Sequence, residues 1–226
     1  MSDQELLAQV PLFARLAPRE LESLARLLRR RRYRAGEVIF HEGDAGTALY
    51  IVESGEVKIV LGSAEGKEVV LGLLGRGDFF GELALLDGEP RSADAVAVVA
   101  SQLAVLQREE FTRFIRSTPR AAANLLAVLS RRLRRTDRLV HDAAFSDVRT
   151  RLLKLLLELG QTRGQPGPGG VAITSRLTQG DLATMVGTTR ESVNKWLRYY
   201  AGKGVLRHAR GRLLLVDPER LRAELY

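Results

Sequence analysis

Between Tyr33 and about Leu106 the chain is written in short apolar runs separated by glycine, and this pattern limits the fold more than anything else in it. Leu49-Tyr50-Ile51-Val52, Val57-Lys58-Ile59-Val60-Leu61 and Val69-Val70-Leu71 are such runs, with Gly36, Gly43, Gly46, Gly55, Gly66 and Gly77 between or beside them. Runs of this length with turn glycines at this spacing predict short antiparallel strands closed into a barrel or jelly roll. A parallel α/β sheet needs a helical crossover between strands, and no helical pattern interrupts the segment.

The flanks read differently. Residues 1–32 predict short helices: Pro18 stands at a helix start, and Leu21, Leu24, Leu27 and Leu28 follow at helical spacing. After Pro119 a long helix is expected, in which Leu126, Leu129, Leu133, Thr136, Val140 and Ala143 alternate in steps of three and four. That is a heptad seam with one polar member, and it predicts a homodimerising coiled coil. A single amphipathic helix packed on its own domain is the alternative. Arg131, Arg132, Arg134, Arg135 and Arg138 flank the seam and favour a partner-facing or solvated helix. The tract Gly164-Gln165-Pro166-Gly167-Pro168-Gly169-Gly170 has the composition of a linker. The apolar helix Val148–Leu159 would then have nothing to cover, so 161–170 is read as an internal loop of a C-terminal domain. The expected division is 1–118, 119–145 and 146–226.

Composition narrows the function. The chain has no cysteine, which excludes disulfides, thiolate zinc and cysteine-ligated iron–sulfur clusters. His41, His141 and His208 are scattered without ligand spacing, so neither a metal nor haem is expected. No run of eighteen apolar residues and no signal-like start is present, so no membrane association and a cytoplasmic location are expected. The net charge of +8 is uneven: residues 146–226 carry 14 Lys/Arg against 7 Asp/Glu, while residues 1–145 carry 21 against 20. A basic C-terminal third suits a polyanionic partner, although a solubilising surface has the same composition. No nucleophile–base pair, metal-ligand cluster or P-loop occurs, so catalysis is not expected.

Two motifs carry chemistry. In Phe79-Phe80-Gly81-Glu82-Leu83-Ala84-Leu85-Leu86, followed by Arg91-Ser92-Ala93, one acid and one arginine share a short glycine-turned region. Glu82 can accept hydrogen bonds from a sugar hydroxyl, and Arg91 can fork onto phosphate oxygens. Gly81 lets backbone approach a ligand, and N–H groups at a helix start face an anion. A surface loop with a chance Glu82–Arg91 ion pair is the alternative. The second motif begins at Thr178-Gln179-Gly180-Asp181, an N-cap with an acid three residues on. A glycine turn at Gly187-Thr188-Thr189 leads to a second helix carrying Arg190, Glu191 and Lys195 on its N-terminal half. Either this is an ordinary helical hairpin or it is a helix-turn-helix that reads double-stranded DNA in the major groove. In the second case arginine pairs with guanine and glutamate accepts from cytosine, while Gln179, Thr189 and Ser192 hold phosphates. Val205-Leu206-Arg207 and Arg212-Leu213-Leu214-Leu215-Val216 flank a His208–Gly211 turn as a wing would. Trp196, Tyr199 and Tyr200 are read as packing residues, and Arg29-Arg30-Arg31-Arg32 as a solvated basic face.

Taken together, these motifs resemble the cyclic AMP receptor protein/FNR family of bacterial transcription regulators, from about Leu12 to Val216. Val186-Gly187-Thr188-Thr189-Arg190-Glu191-Ser192-Val193 and the Phe79–Ala93 cassette are the specific pieces. The resemblance implies an α+β chain: an N-terminal cyclic-nucleotide-binding jelly roll, a long dimerisation helix and a C-terminal winged helix-turn-helix. It implies cyclic AMP as allosteric effector, with Glu82 on the ribose, and Arg91, Ser92 and the backbone near Gly81 and Leu83 on the phosphate. Ile59, Leu71 and Leu74 would line the base pocket, Arg132 and Thr136 would contact the purine, and Asp137 would reach it from the partner subunit. Thr178 joins the DNA-contacting residues, a TGTGA-type half-site is implied, and RNA polymerase is an expected partner. Two departures stand out. Asp137 replaces a neutral residue and would favour adenine over guanine, and the Glu82–Arg91 spacing is one residue shorter than in the best-known member.

Overall fold

The computed structural model describes residues 3–63, 68–175, 177–209 and 212–225. Gly66 and the wing-tip residues Arg210 and Gly211 lie outside the described residues. The chain packs as two units, 1–136 and 137–226.

The first unit opens with α1 (Asp3–Gln9), a 3-10 turn (Pro11–Phe13) and α2 (Pro18–Ala25). Among the described residues eight strands follow: β1 (Arg29–Tyr33), β2 (Val38–Phe40), β3 (Ala48–Ser54), β4 (Val57–Gly62), β5 (Glu68–Leu74), β6 (Phe79–Phe80), β7 (Asp94–Ala97) and β8 (Ser101–Gln107). Helix α3 (Leu83–Leu86) interrupts them after β6, and α4 (Arg108–Ser117) and α5 (Pro119–Phe145) follow. The strands form two four-stranded sheets, β1-β8-β3-β6 and β2-β7-β4-β5, with every pairing antiparallel. This interleaving of early and late strands is a jelly roll, as the glycine-spaced runs predict.

Strand β3 explains why the roll is two-sided. Its side chains alternate, and both faces are apolar. Ala48, Tyr50 and Val52 join Val57, Phe80, Ala95, Leu103 and Val105 between the sheets. Leu49 and Ile51 face a second core built from Leu6, Leu7, Leu12, Phe13, Phe79, Leu106 and Phe111. Helix α5 adds Ala121, Leu125 and Val128 to that second core, with Leu129 partly buried against it. Its other apolar residues do something else: Leu126, Leu133 and Val140 stay 66%, 63% and 64% exposed. The helix therefore has two apolar faces, and the heptad seam is largely the one its own chain leaves uncovered.

Residues 29–32 are a strand rather than the end of a helical segment. All of β1 pairs with β8, from Arg29 opposite Val105 to Tyr33 opposite Ser101. The helical periodicity is real only to Ala25; beyond it, the open edge of β8 takes the arginines into the sheet because tertiary pairing outweighs weak local propensity. Arg30 bonds Glu53 and Asp3, and Arg32 bonds Gln102, so the basic face is partly tied down.

In the second unit α6 (Val148–Arg163), capped by Asp147, buries Leu152, Leu153, Leu156, Leu157 and Leu159. The glycine–proline tract is a hairpin, not a loop: β9 (Gly164–Gly167) pairs with β10 (Gly170–Ile173). Pro166 is tolerated because β9 is an edge strand, and Ile173 is buried. Next come α7 (Gln179–Val186), α8 (Arg190–Gly202), β11 (Leu206–Ala209), β12 (Arg212–Leu215) and α9 (Pro218–Ala223). The expected wing pair β11–β12 forms, extended by the hairpin into a sheet ordered β11-β12-β10-β9.

Candidate functional site

The cassette folds as strand β6, a glycine turn and the short helix α3. Gly81 has φ +82°, and a Cβ there would lie 2.6 Å from Arg91 Nη1 and 3.3 Å from the Ala48 carbonyl. Both the backbone conformation and the space therefore require glycine. The gap admits the Arg91 side chain, only 4% exposed, whose Nη1 donates to the Gly81 carbonyl at 2.6 Å and whose Nη2 donates to Ala48 at 2.8 Å. Its guanidinium sits 4.3 Å from the centre of the Phe40 ring, which packs at a tilt on the stacked pair Tyr50 and Phe80. The loop before it is pinned to the same residue: Arg91 N–H donates to Asp44 O, and Gly43 N–H donates to Arg91 O. Burial, joined by the like charge of Arg108, pushes the Arg91 pKa down, only partly countered by Tyr50, Glu82 and Asp44.

One donor is left over. Arg91 Nε is buried and has no hydrogen-bond partner. A buried cation without a carboxylate, and with an unused N–H, is costly unless an anion completes it. The chance ion pair of Glu82 with Arg91 does not form. Glu82, 2% exposed, is instead met by Arg132 of α5, whose Nη1 reaches Oε1 at 2.6 Å. Arg132 also donates to the Phe79 carbonyl and lies 4.7 Å from the Phe79 ring centre.

These groups line a cavity of about 80 Å³ with Phe40, Ile59, Phe80, Gly81, Leu83, Ser92 and Ala93. Ligand pockets for small molecules begin near 300 Å³, so the cavity in this conformation, with Arg132 on Glu82, is too small for a mononucleotide. Of the expected ligand residues, Ile59, Gly81, Glu82, Leu83, Arg91, Ser92 and Arg132 come together. Leu71 and Leu74 do not line this cavity: Leu74 packs into the core between the sheets, and Leu71 gives its carbonyl to Arg135. Thr136 is exposed and bonds back to the Arg132 carbonyl, and Asp137 is exposed. Sequence reasoning missed Arg108, which joins Gly46 O to Ala84 O and so fixes α3. It also missed Phe40 and the Ala48 carbonyl. No local signal identifies these groups, because each reaches the cassette from a distant strand.

The second unit carries the other candidate surface. Thr178 and Asp181 form a reciprocal capping box on α7, Gly187 at φ +69° turns the chain, and Thr189 caps α8. Thr178 and Thr189 thus already spend their hydroxyls on helix caps. Val193, Leu197 and Tyr200 face inward, while Arg190, Glu191, Lys195 and Arg198 are exposed. Hydrogen bonds from its own N–H and the Thr189 hydroxyl hold the Glu191 carboxyl below its ordinary pKa. It therefore remains an acceptor at neutral pH. Gln179 bonds Asn194, and Ser192 is half-buried in the first turn of α8. Two arginines buttress the pair of helices: Arg151 donates to the α7 terminus at Val186 O, and Arg149 to the Tyr200 hydroxyl and Glu224. Trp196, Tyr199 and Tyr200 pack on one another, as expected of packing residues.

No described helix is long and apolar enough to cross a membrane. Residues 30–118 match the cyclic nucleotide-binding domain model, and residues 150–224 match the Crp-like helix-turn-helix domain model. A CRP-like cAMP-activated global transcriptional regulator of Mycobacterium tuberculosis is 36% identical over 217 residues, covering 96% of this chain and 97% of that protein. The cyclic AMP receptor protein of Thermus thermophilus is 40% identical over 197 residues, covering 87% of this chain and 88% of that one. Among solved structures, the c-di-GMP responsive global regulator CLP of Xanthomonas campestris superposes with a TM-score of 0.76 at 27% identity, over 89% of this chain and all of that one.

Proposed function

The chain belongs to the cyclic AMP receptor protein/FNR family of bacterial transcription regulators, and from that premise we propose that it is a homodimer whose DNA binding is switched on by cyclic AMP. The observation that carries the nucleotide half is Arg91, a buried cation with an unused Nε–H beside an acid-lined wall. A cyclic phosphate would complete the arginine, while the ribose hydroxyl would take the acceptor that Arg132 now holds on Glu82. Arg132 sits on α5, so displacing it links occupancy to the helix that carries the uncovered Leu126–Leu133–Val140 seam. In this reading residues 1–118 bind nucleotide, 119–145 dimerise and 146–226 bind DNA. Thr136 and the partner's Asp137 then meet the adenine amino group.

Two copies of α8 would enter successive major grooves roughly 34 Å apart, reading a palindrome of TGTGA-like half-sites with Arg190, Glu191 and Lys195. Gln179 and Ser192, in the first turns of α7 and α8, suit phosphate contacts, and Thr178 and Thr189 would join them only by giving up part of their capping bonds. RNA polymerase is the partner through which a bound regulator would act, and the exposed arginines of β1 are one surface open to it. The ligand shifts a population between dimer arrangements and must bind one of them better. Selection of DNA from random pools tests the reading: enrichment of one palindrome only with cyclic AMP supports it, and equal enrichment without nucleotide refutes it. The CLP structure, of a c-di-GMP responsive regulator, supports a second reading, in which another effector takes the place of cyclic AMP. Calorimetry with cyclic AMP, cyclic GMP and cyclic di-GMP separates the two.

A further inference from the structure

Arg135 lies one turn beyond Arg132 on α5 and reaches a different strand. Its Nη1 donates to the Leu71 carbonyl at 2.8 Å. Leu71 is the irregular residue of β5: Ile59 of β4 stands opposite Gly72, yet the next residue, Val60, stands opposite Val70. The skip leaves Leu71 as a bulge residue outside the ladder, and its carbonyl needs a partner from elsewhere. Gly72 supplies the room. A Cβ there would lie 3.0 Å from Arg135 Nη1 with no other atom within 4 Å, and its φ is not left-handed, so the glycine leaves space that the guanidinium occupies and a side chain would crowd it. Directly opposed residues of antiparallel strands project to one face. The guanidinium therefore sits on the face of the sheet that carries Ile59, a wall of the anion cavity.

Bulge, glycine gap and arginine make a socket, and the socket has a counterpart. Arg132 ties α5 to the cassette wall through Glu82 and Phe79, while Arg135 ties the same helix to the β4–β5 wall. We infer that Arg135 is a positioning residue that couples the β4–β5 wall of the cavity to α5, so that the helix senses the separation of both walls and not the cassette alone. The inference rests on the proposed control of DNA binding by cyclic nucleotide. A ligand large enough to enter must part the two walls, and a helix fastened to both is loaded by that change. A helix fastened to one simply follows it.

The test uses the full chain and two readouts: cyclic AMP affinity by calorimetry, and stimulation of DNA binding by fluorescence anisotropy. Arg135→Ala removes the tether, and Gly72→Val fills the socket while leaving the arginine. Both are expected to keep cyclic AMP affinity within about threefold while stimulation falls about tenfold, a typical allosteric coupling. Arg135→Lys, which retains a donor, should recover part of the stimulation. The double variant should be no worse than either single one, since both break one contact. Undiminished stimulation in Arg135→Ala overturns the inference, as does a parallel loss of affinity and stimulation, which would make Arg135 a ligand contact. If the unaltered chain is not stimulated by cyclic AMP, the functional reading fails and takes this inference with it. Stimulation of the unaltered chain that survives in Arg135→Ala defeats this inference alone.

Discussion

Replacing Arg91 by leucine should separate ligand binding from folding. Two effects oppose each other in the free protein. The substitution strands the carbonyls of Gly81 and Ala48, at about 1–3 kcal/mol for each buried unsatisfied group. It also relieves the desolvation of a cation that has no carboxylate partner and is held only 4% exposed, a penalty of similar or larger size. The net change in unfolding free energy of the first unit should stay below about 2 kcal/mol. Binding has no such offset. The unused Nε–H gives phosphate one charge-assisted hydrogen bond of about 1.5–3 kcal/mol, so about that much is lost, or about 10–10²-fold in affinity. Calorimetry with cyclic AMP reads the affinity, and urea denaturation followed by circular dichroism reads the stability. Arg91→Lys keeps the charge without the Nε–H and should fall between. An affinity of Arg91→Leu within threefold of the unaltered chain would refute the phosphate role outright. A large loss of stability with affinity intact would make Arg91 a strut.

Other perturbations probe the remaining elements. Leu125→Ala should destabilise the first unit by about 2–4 kcal/mol by opening a buried cavity, whereas Leu133→Ala should leave unfolding of a dilute chain unchanged and raise the dissociation constant for self-association measured by sedimentation; the reverse pattern would mean the exposed seam is not a dimer face. Burial works to raise the Asp142 carboxyl, but the hydrogen bond and charge of Lys154, with bonds from His141 and Ser146, hold it below its usual value. A depressed carboxylate stabilises the fold above its unfolded pKa and loses that contribution as pH falls through its folded pKa, so Asp142→Asn should flatten the acid side of the stability curve below about pH 4. An unchanged slope would show the pair contributes nothing. Glu191→Ala should relax preference at one base position in a binding-site selection, and a uniform loss across sequences would mean that it does not read a base.

Local chemistry made part of this molecule legible before any coordinates. The Thr178–Asp181 capping box, the Gly187 turn and the Thr189 cap each involve residues within a few positions, and each forms as read. Glycine spacing announced the jelly roll, because turns are local too. What failed was local reading of residues whose partners are remote. Arg29–Arg32 look like a helix end until the free edge of β8 is in view. The 164–170 tract looks like a loop until Pro166 is seen on an edge strand. The cassette string marks Glu82 and Arg91, which line one cavity, but carries no sign of what anchors them: Arg91 is held by Ala48, 43 positions away, and Glu82 by Arg132, 50 positions away. Strand register decides such contacts, and a bulge at Leu71 shifts it without any mark in the residue pattern.

Regulation of this kind requires that occupancy of the cavity reach the DNA. Anisotropy titration of a labelled palindrome selected with this protein, at one fixed salt concentration, measures that directly. Cyclic AMP should tighten binding by at least about tenfold, within the usual range of allosteric coupling, and Arg91→Leu should bind with the unstimulated affinity whether or not nucleotide is present. Superimposable curves for the unaltered chain with and without cyclic AMP would contradict the account.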